Sequence, residues 1–274
     1  MEIVKVFCDA EFSVNVHVTR CRGDALRHVA EYGNDYDIVV ACGGDGTLSE
    51  VIGGAMRGGF QGDLGFLPYG TTNDFATTLG LPRKRLDIAR LITYREGRPV
   101  DFGTFNRTRY FSYVAAFGAF TDVTYTTDQI SKNLFGHAAY VAEALSKVKD
   151  LRPYFMRVDC DGEHYEGEFL FGAVTNSLSI GGVMKLKKDQ VALSDGCHEV
   201  ILIRRPKTAS ELASLSKELL SGNYENRSVL FFRGKKIRFT AEVSIPWTVD
   251  GEYAGTHEVV DIRNLHGRLK VIYP

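Results

Sequence analysis

A glycine-rich turn at residues 43–47 places backbone groups that could hold phosphate beside a carboxylate. The turn is Gly43-Gly44-Asp45-Gly46-Thr47, and it follows an apolar, partly β-branched run. If a strand ends and a helix begins here, free N–H groups and the positive end of the helix dipole meet at one point, and glycine lets a ligand approach closely. Asp45 would repel phosphate, so it favours a divalent cation or a hydroxyl nucleophile between the two. The alternative is a tight turn with a surface aspartate. The turn matches neither the Walker A pattern nor G-x-G-x-x-G.

A second turn of the same kind lies at residues 68–76, Pro68-Tyr69-Gly70-Thr71-Thr72-Asn73-Asp74-Phe75-Ala76. Gly70 permits the turn, Thr71 adds a hydroxyl and Asp74 adds a second carboxylate. In a parallel sheet both turns would lie at the carboxyl ends of strands, where open α/β sheets bind ligands. Asp74 is explained equally as a first-turn residue that favours the helix dipole.

Three further acidic positions stand next to glycine or close to it: Asp101, Asp195, and the pair Asp250 and Glu252 in Asp250-Gly251-Glu252. Each Asp-Gly step alone is typical of a turn. Together these carboxylates suit metal-assisted phosphoryl transfer, in which some position Mg²⁺ and one accepts a proton from the attacking hydroxyl.

The elements that must position these residues change in character along the chain. The first third alternates between strands and helices, which predicts a parallel α/β sheet. Thr47 and Glu50 match the S/T-x-x-E capping box and predict a helix start. The predicted strands cover residues 12–19, 36–42 and 64–68, and the predicted helices cover residues 24–32, 48–57, 72–78 and 86–96.

After about residue 100 strand patterns dominate, which predicts an antiparallel sheet or sandwich. The predicted strands cover residues 110–117, 155–160, 167–175, 199–203, 228–232, 236–240 and 269–273, with helices at 136–149 and 210–220. We therefore expect two domains, an α/β nucleotide-binding domain at 1–100 and a β-rich domain at 101–274, although the end of the chain could also return to the first.

Composition excludes several classes of protein. The 274 residues carry a net charge of −1, which gives no sign of bulk nucleic-acid binding. No apolar run is long enough to span a membrane, and the first residues do not resemble a signal peptide. The five cysteines are scattered and odd in number, which favours free thiols acting as small core residues in a reducing compartment. We expect a cytoplasmic protein whose membrane contact is peripheral; the oligomeric state stays open, with a homodimer as one alternative.

The combined motifs resemble bacterial lipid kinases of the diacylglycerol kinase catalytic-domain family, whose relatives include sphingosine and ceramide kinases. The resemblance extends over nearly the whole chain. The matching segments are Gly43-Gly44-Asp45-Gly46-Thr47-Leu48-Ser49-Glu50-Val51, the stretch from Pro68 to Ala76 quoted above, Val100-Asp101-Phe102-Gly103, Thr175-Asn176-Ser177 with Gly181-Gly182, Ser194-Asp195-Gly196, and Asp250-Gly251-Glu252.

The resemblance implies an ATP- and Mg²⁺-dependent kinase that phosphorylates a lipid hydroxyl, with diacylglycerol as the first candidate substrate. It also implies a nucleotide-binding α/β domain followed by a β-rich lipid-binding domain. Glu252 matches the general base, and Asp45, Asp74 and Asp101 match a carboxylate and Mg²⁺ network. Asp195 matches a ligand of a structural Mg²⁺, with the carbonyl groups of Ala192 and Cys197 beside it. The implied nucleotide contacts are Thr19, Gly43, Gly44, Asp45, Gly46, Thr47, Leu48, Ser49 and Thr71.

One departure from the family pattern lies at the start of the chain. Family members usually begin with a strand and an N-P-x-x-G loop that touches the nucleotide, whereas Met1 here stands in the helix that would follow. A shortened gene or a natural variant with weakened ATP turnover would both explain this. This departure leaves a non-catalytic lipid- or nucleotide-binding homologue open as an alternative. Another kinase with a G-G-D-G turn, such as NAD kinase or phosphofructokinase, is a separate alternative, and the stretch 68–76 and the tripeptide 250–252 argue against it.

Overall fold

The structure is a computed structural model that describes residues 2–70, 73–118, 153–180, 184–187, 189–222, 224 and 228–274. The chain divides into two compact units. Unit 1 comprises Met1–Phe102 and Leu265–Pro274, and unit 2 comprises Gly103–Asn264. Two predicted features, the helix at 136–149 and the Gly181-Gly182 step, lie outside the described residues, as does Thr71.

Unit 1 is an α/β unit around a four-stranded sheet. Its helices are α1 (Glu2–Asp9), α2 (Asp24–Tyr32), α3 (Asp45–Gly58), α4 (Asp74–Thr78) and α5 (Arg85–Tyr94), and its strands are β1 (Ile38–Gly43), β2 (Asp63–Pro68), β3 (Arg98–Val100) and, from the end of the chain, β15 (Leu269–Val271). The strand order is β1-β2-β15-β3. β2 runs parallel to both β1 and β15, and only β3 is antiparallel to its neighbour.

Helical spacing of apolar residues explains how the helices of unit 1 pack. Ile88, Leu91 and Ile92 of α5 lie on one face and are buried with Phe7 of α1 and Ile272, which follows β15. Elsewhere α3 packs on α2, and glycines of α3 permit the close approach. A Cβ atom on Gly54 would lie 2.5 Å from the carbonyl oxygen of Leu26.

Unit 2 is a β-rich antiparallel unit. Its strands are β4 (Gly103–Phe105), β5 (Arg109–Phe111), β6 (Val114–Gly118), β7 (Tyr154–Cys160), β8 (Glu163–Thr175), β9 (Ser179–Ile180), β10 (Met184–Lys185), β11 (His198–Arg204), β12 (Val229–Gly234), β13 (Lys236–Val249) and β14 (Glu252–Asn264), and its described helix is α6 (Ala209–Ser221). Nine of these strands form one sheet in the order β12-β11-β8-β6-β13-β14-β4-β5, with β7 paired to β8 and β13. Trp247 centres the core, with ring centroids 4.9 Å from Phe117 and 5.1 Å from Phe239.

The fold class predicted from the sequence is confirmed, an α/β unit with parallel strands followed by an antiparallel β-rich unit, but several local predictions are wrong. Residues 12–19 form no strand, and Val16 and Val18 of this segment are 70% and 75% exposed. Alternation of apolar residues supplies a suitable face but not a neighbouring strand to pair with. The predicted strand at 110–117 is interrupted between β5 and β6, and β14 was not predicted.

The prediction of a capping box at Thr47 and Glu50 is also wrong. The helix begins at Asp45, with Gly44 in the N-cap position and no side-chain cap, so Thr47 lies inside the first turn. The Glu50 carboxylate instead accepts a hydrogen bond from the N–H of Gly23 at 2.7 Å, which joins α3 to the start of α2.

The five cysteines are all free, as expected, but only Cys160 is buried, so the expectation of core thiols is wrong for most of them. The described helices include none that is long and apolar enough to cross a membrane.

Candidate active site

The two glycine-rich turns of unit 1 meet in direct backbone contact. β1 and β2 are parallel neighbours and end level with each other, with Gly43 opposite Pro68. The N–H of Tyr69 donates to the carbonyl oxygen of Gly43 at 2.7 Å. A Cβ atom on Gly70 would lie 2.6 Å from the Cα atom of Gly44, closer than side chains tolerate. These glycines are therefore required by the approach of one turn to the other.

Asp45 is the first residue of α3 and points its carboxylate towards the start of α4. Oδ2 accepts a hydrogen bond from the N–H of Asp74 at 3.2 Å. Oδ1 is buried and has no hydrogen-bond partner among the described residues. Burial raises the pKa of Asp45, while N–H groups of Asp74, Phe75 and Asn73 lower it in part. A buried carboxylate oxygen without a partner suits a hard divalent cation, so Asp45 fits the expected Mg²⁺.

The other two carboxylates of the predicted network are buried as well, but the structure does not gather all three around one point. Asp74 is the first residue of α4, and Asp101 is fully buried. Asp101 Oδ1 lies 2.7 Å from Nδ1 of His266, on the returning end of the chain. Within the described ranges no group of three or more His, Cys, Asp or Glu side chains is arranged to hold a metal ion.

Thr19 and Thr47 lie together beside the first turn. They line a cavity of about 370 Å³ with Arg20, Arg22 and Glu50, and both also border an apolar cavity of about 1080 Å³ that extends along β1. The structure thus brings these two predicted nucleotide contacts to one place.

The other predicted contacts near this turn differ in what they can offer a ligand. Gly46 is exposed and Ser49 is half-buried, whereas the side chain of Leu48 is buried. The N–H of Leu48 already donates to the carbonyl oxygen of Gly44 at 3.1 Å. The donors left for a ligand at a helix start are those of the preceding residues, here 45–47.

In unit 2, Glu252 follows a tight hairpin turn. Asp250 and Gly251 have φ values of 49° and 78°, and Val249 pairs with Glu252, as in a two-residue type I′ turn. The side chain of Glu252 is 43% exposed and pairs with Arg109 at 2.9 Å.

Asp250 ties the hairpin turn to the segment at residues 112–114. Its carboxylate accepts hydrogen bonds from the N–H groups of Ser112, Tyr113 and Val114 and from the Ser112 hydroxyl, at 2.8 to 3.2 Å. Burial raises the pKa of Asp250 to about 6, although the N–H donors lower it in part. The same contacts interrupt the predicted strand at 110–117.

Asp195, the predicted structural Mg²⁺ ligand, is engaged by an arginine. Oδ1 accepts from the N–H of Cys197 at 3.0 Å, and Oδ2 pairs with Arg233. Arg233 also contacts Glu199 at 3.2 Å, a fully buried residue whose pKa burial raises to about 7. With this carboxylate shared between an N–H group and a guanidinium, the set Asp195, Ala192 and Cys197 does not fit a metal ion as arranged.

Two family models match this chain. The diacylglycerol kinase catalytic domain matches residues 1–105, and the domain described as "YegS C-terminal NAD kinase beta sandwich-like" matches residues 114–273. A diacylglycerol kinase of Staphylococcus haemolyticus is 31% identical over 90% of this chain and 74% of its own length.

The chain belongs to the diacylglycerol kinase family. It is similar to a Bacillus subtilis diacylglycerol kinase at 29% identity over 100% of this chain and 90% of the relative. A crystal structure of a Bacillus anthracis diacylglycerol kinase superposes with a TM-score of 0.78 at 23% identity, over 100% of this chain and 89% of the other, which shows a shared fold. As a member of this family the chain is a lipid kinase, which confirms that prediction.

Three residues that pair with carboxylates of the diacylglycerol kinase motifs were not predicted from the sequence. His266 belongs to no H-E-x-x-H or paired histidine spacing, and Arg109 and Arg233 lie outside every motif. Each acts on a carboxylate far away in the chain, and only the folded sheet shows the pairing.

Proposed function

We propose that the protein transfers the γ-phosphoryl group of ATP to the hydroxyl of diacylglycerol in a Mg²⁺-dependent reaction. The observation that carries the proposal is the contact between the two glycine turns, beside which a buried oxygen of Asp45 has no hydrogen-bond partner in the described part of the chain. The names of the relatives support the acceptor, since those cited are all diacylglycerol kinases. Because this acceptor resides in a bilayer, the enzyme would act at a membrane surface.

Unit 1 is proposed to hold the nucleotide. The N–H groups at the start of α3 and the dipole of that helix would bind phosphate oxygens, with Thr19 and Thr47 beside them. Thr71, outside the described residues, keeps its expected role as a further contact. Asp45 would ligate Mg²⁺, with Asp74 and Asp101 supporting it. When bound, Mg²⁺ would neutralise charge on the phosphates.

Unit 2 is proposed to supply the proton acceptor. The Glu252 carboxylate takes the proton of the lipid hydroxyl while the hydroxyl oxygen forms a bond to the γ-phosphorus. The bond between that phosphorus and the bridging oxygen breaks, and ADP leaves with the electron pair. The partly exposed carboxylate at the start of β14 is open enough for a lipid hydroxyl to reach it.

Glu252→Gln tests this assignment. We expect turnover to fall by on the order of 10²- to 10⁴-fold, the usual contribution of a general base, while ATP affinity stays within a factor of about two. The assay follows labelled phosphate from ATP into lipid in diacylglycerol micelles, alongside equilibrium binding of ATP. Glu258→Gln is the matched control, because Glu258 is an exposed carboxylate on the same strand.

A substrate panel tests the acceptor. Diacylglycerol, ceramide, sphingosine and NAD are offered at equal concentration, and diacylglycerol should be phosphorylated fastest. Wild-type turnover in Glu252→Gln would refute the base, and preference for another acceptor would refute the substrate. Binding of ATP without transfer to any acceptor would favour a non-catalytic homologue.

A further inference from the structure

We infer that Arg109 is the positioning residue of Glu252, holding the proton-accepting carboxylate and its hairpin turn in one arrangement. The inference rests on the proposed role of Glu252. Arg109 does not need to touch the lipid or the phosphate, since it acts through the carboxylate beside it.

The hairpin fixes the backbone of Glu252 but does not by itself fix the side chain. The two-residue turn sets Glu252 opposite Val249. A glutamate side chain still has three rotatable bonds, and partial exposure leaves several rotamers accessible. Without a further partner the carboxylate would sample positions several ångströms apart, so a general base at this place requires a second constraint.

Arg109 supplies that constraint from β5. Its Nη2 donates to Oε2 of Glu252 at 2.9 Å, and its Nη1 donates to the carbonyl oxygen of Tyr253 at 3.0 Å. Nη2 also lies 3.4 Å from the carbonyl oxygen of Val249. The planar guanidinium thus contacts the residue before the turn, the carboxylate after it, and the next carbonyl group. Such a rigid fork fixes orientation as well as distance.

The segment that carries Arg109 is itself tied to the turn. Three residues further on, the N–H group of Ser112 begins the set of hydrogen bonds to the buried carboxylate of Asp250. Residues 109–114 therefore bind the hairpin at two points, once through the guanidinium of Arg109 and once through backbone N–H groups. A rigid support of this kind keeps a reacting group within the narrow tolerance that catalysis needs.

The expected consequence is a loss in kcat rather than in substrate affinity. Misplacing a catalytic group by about 1 Å costs on the order of 10²-fold in rate. For Arg109→Met we expect kcat to fall by about 10- to 100-fold, while the KM for ATP and the equilibrium affinity for ATP change by less than about twofold. Arg109→Lys should recover part of the rate, because lysine keeps the charge but lacks the fork.

Arg238 provides a matched control in the same unit. It forms a two-point pair with Asp261 across β13 and β14, at 2.8 and 2.9 Å, away from the turn. Arg238→Met removes an arginine–carboxylate pair from the same hairpin. We expect near-wild-type kcat for Arg238→Met, and thermal unfolding of both methionine variants shows whether any loss of stability is comparable.

The double variant Arg109→Met with Glu252→Gln decides whether Arg109 acts through Glu252. If it does, the double variant is no slower than Glu252→Gln alone, since the group being positioned is already lost. Additive losses, or wild-type kcat in Arg109→Met, would overturn the inference. If Glu252→Gln itself is fully active, the proposed base fails first, and the two failures are thereby told apart.

Discussion

At the scale of single residues, the contact between Gly44 and Gly70 determines whether the two phosphate-side turns can meet. Neither glycine has a positive φ, so steric space and not backbone conformation excludes larger residues. A Cβ atom on Gly44 would lie 3.2 Å from the Cα atom of Gly70, whereas the reverse substitution gives 2.6 Å. The contact of 2.6 Å cannot be relieved by moving a side chain, because the Cβ atom added at Gly70 meets the backbone of Gly44.

We therefore predict unequal effects for two alanine substitutions. Gly70→Ala should destabilise the protein by about 1–3 kcal/mol and weaken ATP binding, because the turns must separate. Gly44→Ala should cost less on both measures. Chemical denaturation and ATP titration check the order, and a larger effect at position 44 would contradict the geometry.

Some of the site residues could be found from the sequence and others could not. Asp45 could be predicted as a site residue because a glycine-rich turn between an apolar run and a helical segment is recognisable from neighbouring residues alone. Arg109 and Glu252 are separated by 143 residues, and His266 and Asp101 by 165. No local pattern encodes such pairings, since they depend on which strands become neighbours.

At the scale of elements, the Asp250–Gly251 turn is more than a connection between β13 and β14. A second Asp-Gly turn, Asp161–Gly162, joins β7 to β8 and also has a positive φ at both residues. The carboxylate of Asp161 accepts two backbone N–H groups but lies exposed, whereas that of Asp250 is buried. Comparing the two Asp-Gly turns therefore distinguishes the contribution of the turn conformation from that of the buried carboxylate.

Asp250→Asn should destabilise unit 2 by about 2–4 kcal/mol, because the amide NH₂ faces N–H donors and leaves buried groups unsatisfied. Asp161→Asn should cost less than about 1 kcal/mol, since water can replace the lost partner. Denaturant unfolding of both variants at pH 7 measures the difference. Equal losses would show that the turn, and not the buried carboxylate, is what matters.

The stability difference between wild type and Asp250→Asn should depend on pH. Burial raises the pKa of Asp250 from 3.8 to about 6, so between these values the folded state keeps a proton that the unfolded state has lost. Wild type therefore loses stability as pH rises through this range, and asparagine does not titrate. The advantage of wild type over Asp250→Asn should be larger at pH 4 than at pH 7. Unfolding at the two values checks this sign.

The helices α2 to α6 and strands such as β2, β8 and β11 were predictable because their apolar patterns are local. β14 was missed because its sequence carries exposed Tyr253 and Val259 with few buried side chains, so its pattern is weak. Residues 12–19 show the opposite error, a clear alternation without a strand. Pairing with neighbours, and not propensity, decided both cases.

At the scale of the whole molecule, the chain leaves unit 1 at Phe102 and returns to it at Leu265. β15 then lies between β2 and β3, and Ile272 joins the core with Phe7 and Ile88. The strand itself was predictable, but its neighbours were not, because a three-residue strand carries too little pattern to specify a sheet position. The return also brings His266 to Asp101, which couples the last residues of the chain to the candidate kinase site.

The two units differ in how they would use a metal ion, and this difference can be measured. In unit 1 the buried Oδ1 of Asp45 has no partner among the residues that the structure describes, whereas in unit 2 Asp195 is shared between Arg233 and the N–H of Cys197. We predict that Asp45→Asn raises the Mg²⁺ concentration needed for half-maximal ATP binding by about 10-fold or more, the usual cost of altering a metal site.

Asp195→Asn is the matched control, and it should change that Mg²⁺ concentration by less than about twofold while lowering stability through loss of the Arg233 pair. ATP binding titrated against Mg²⁺ compares the two variants at one ATP concentration, with circular dichroism to establish that both are folded. An equal shift in Mg²⁺ requirement for Asp195→Asn would mean that the Asp195 loop binds the ion despite its arginine. The set Asp195, Ala192 and Cys197 would then be a metal site after all.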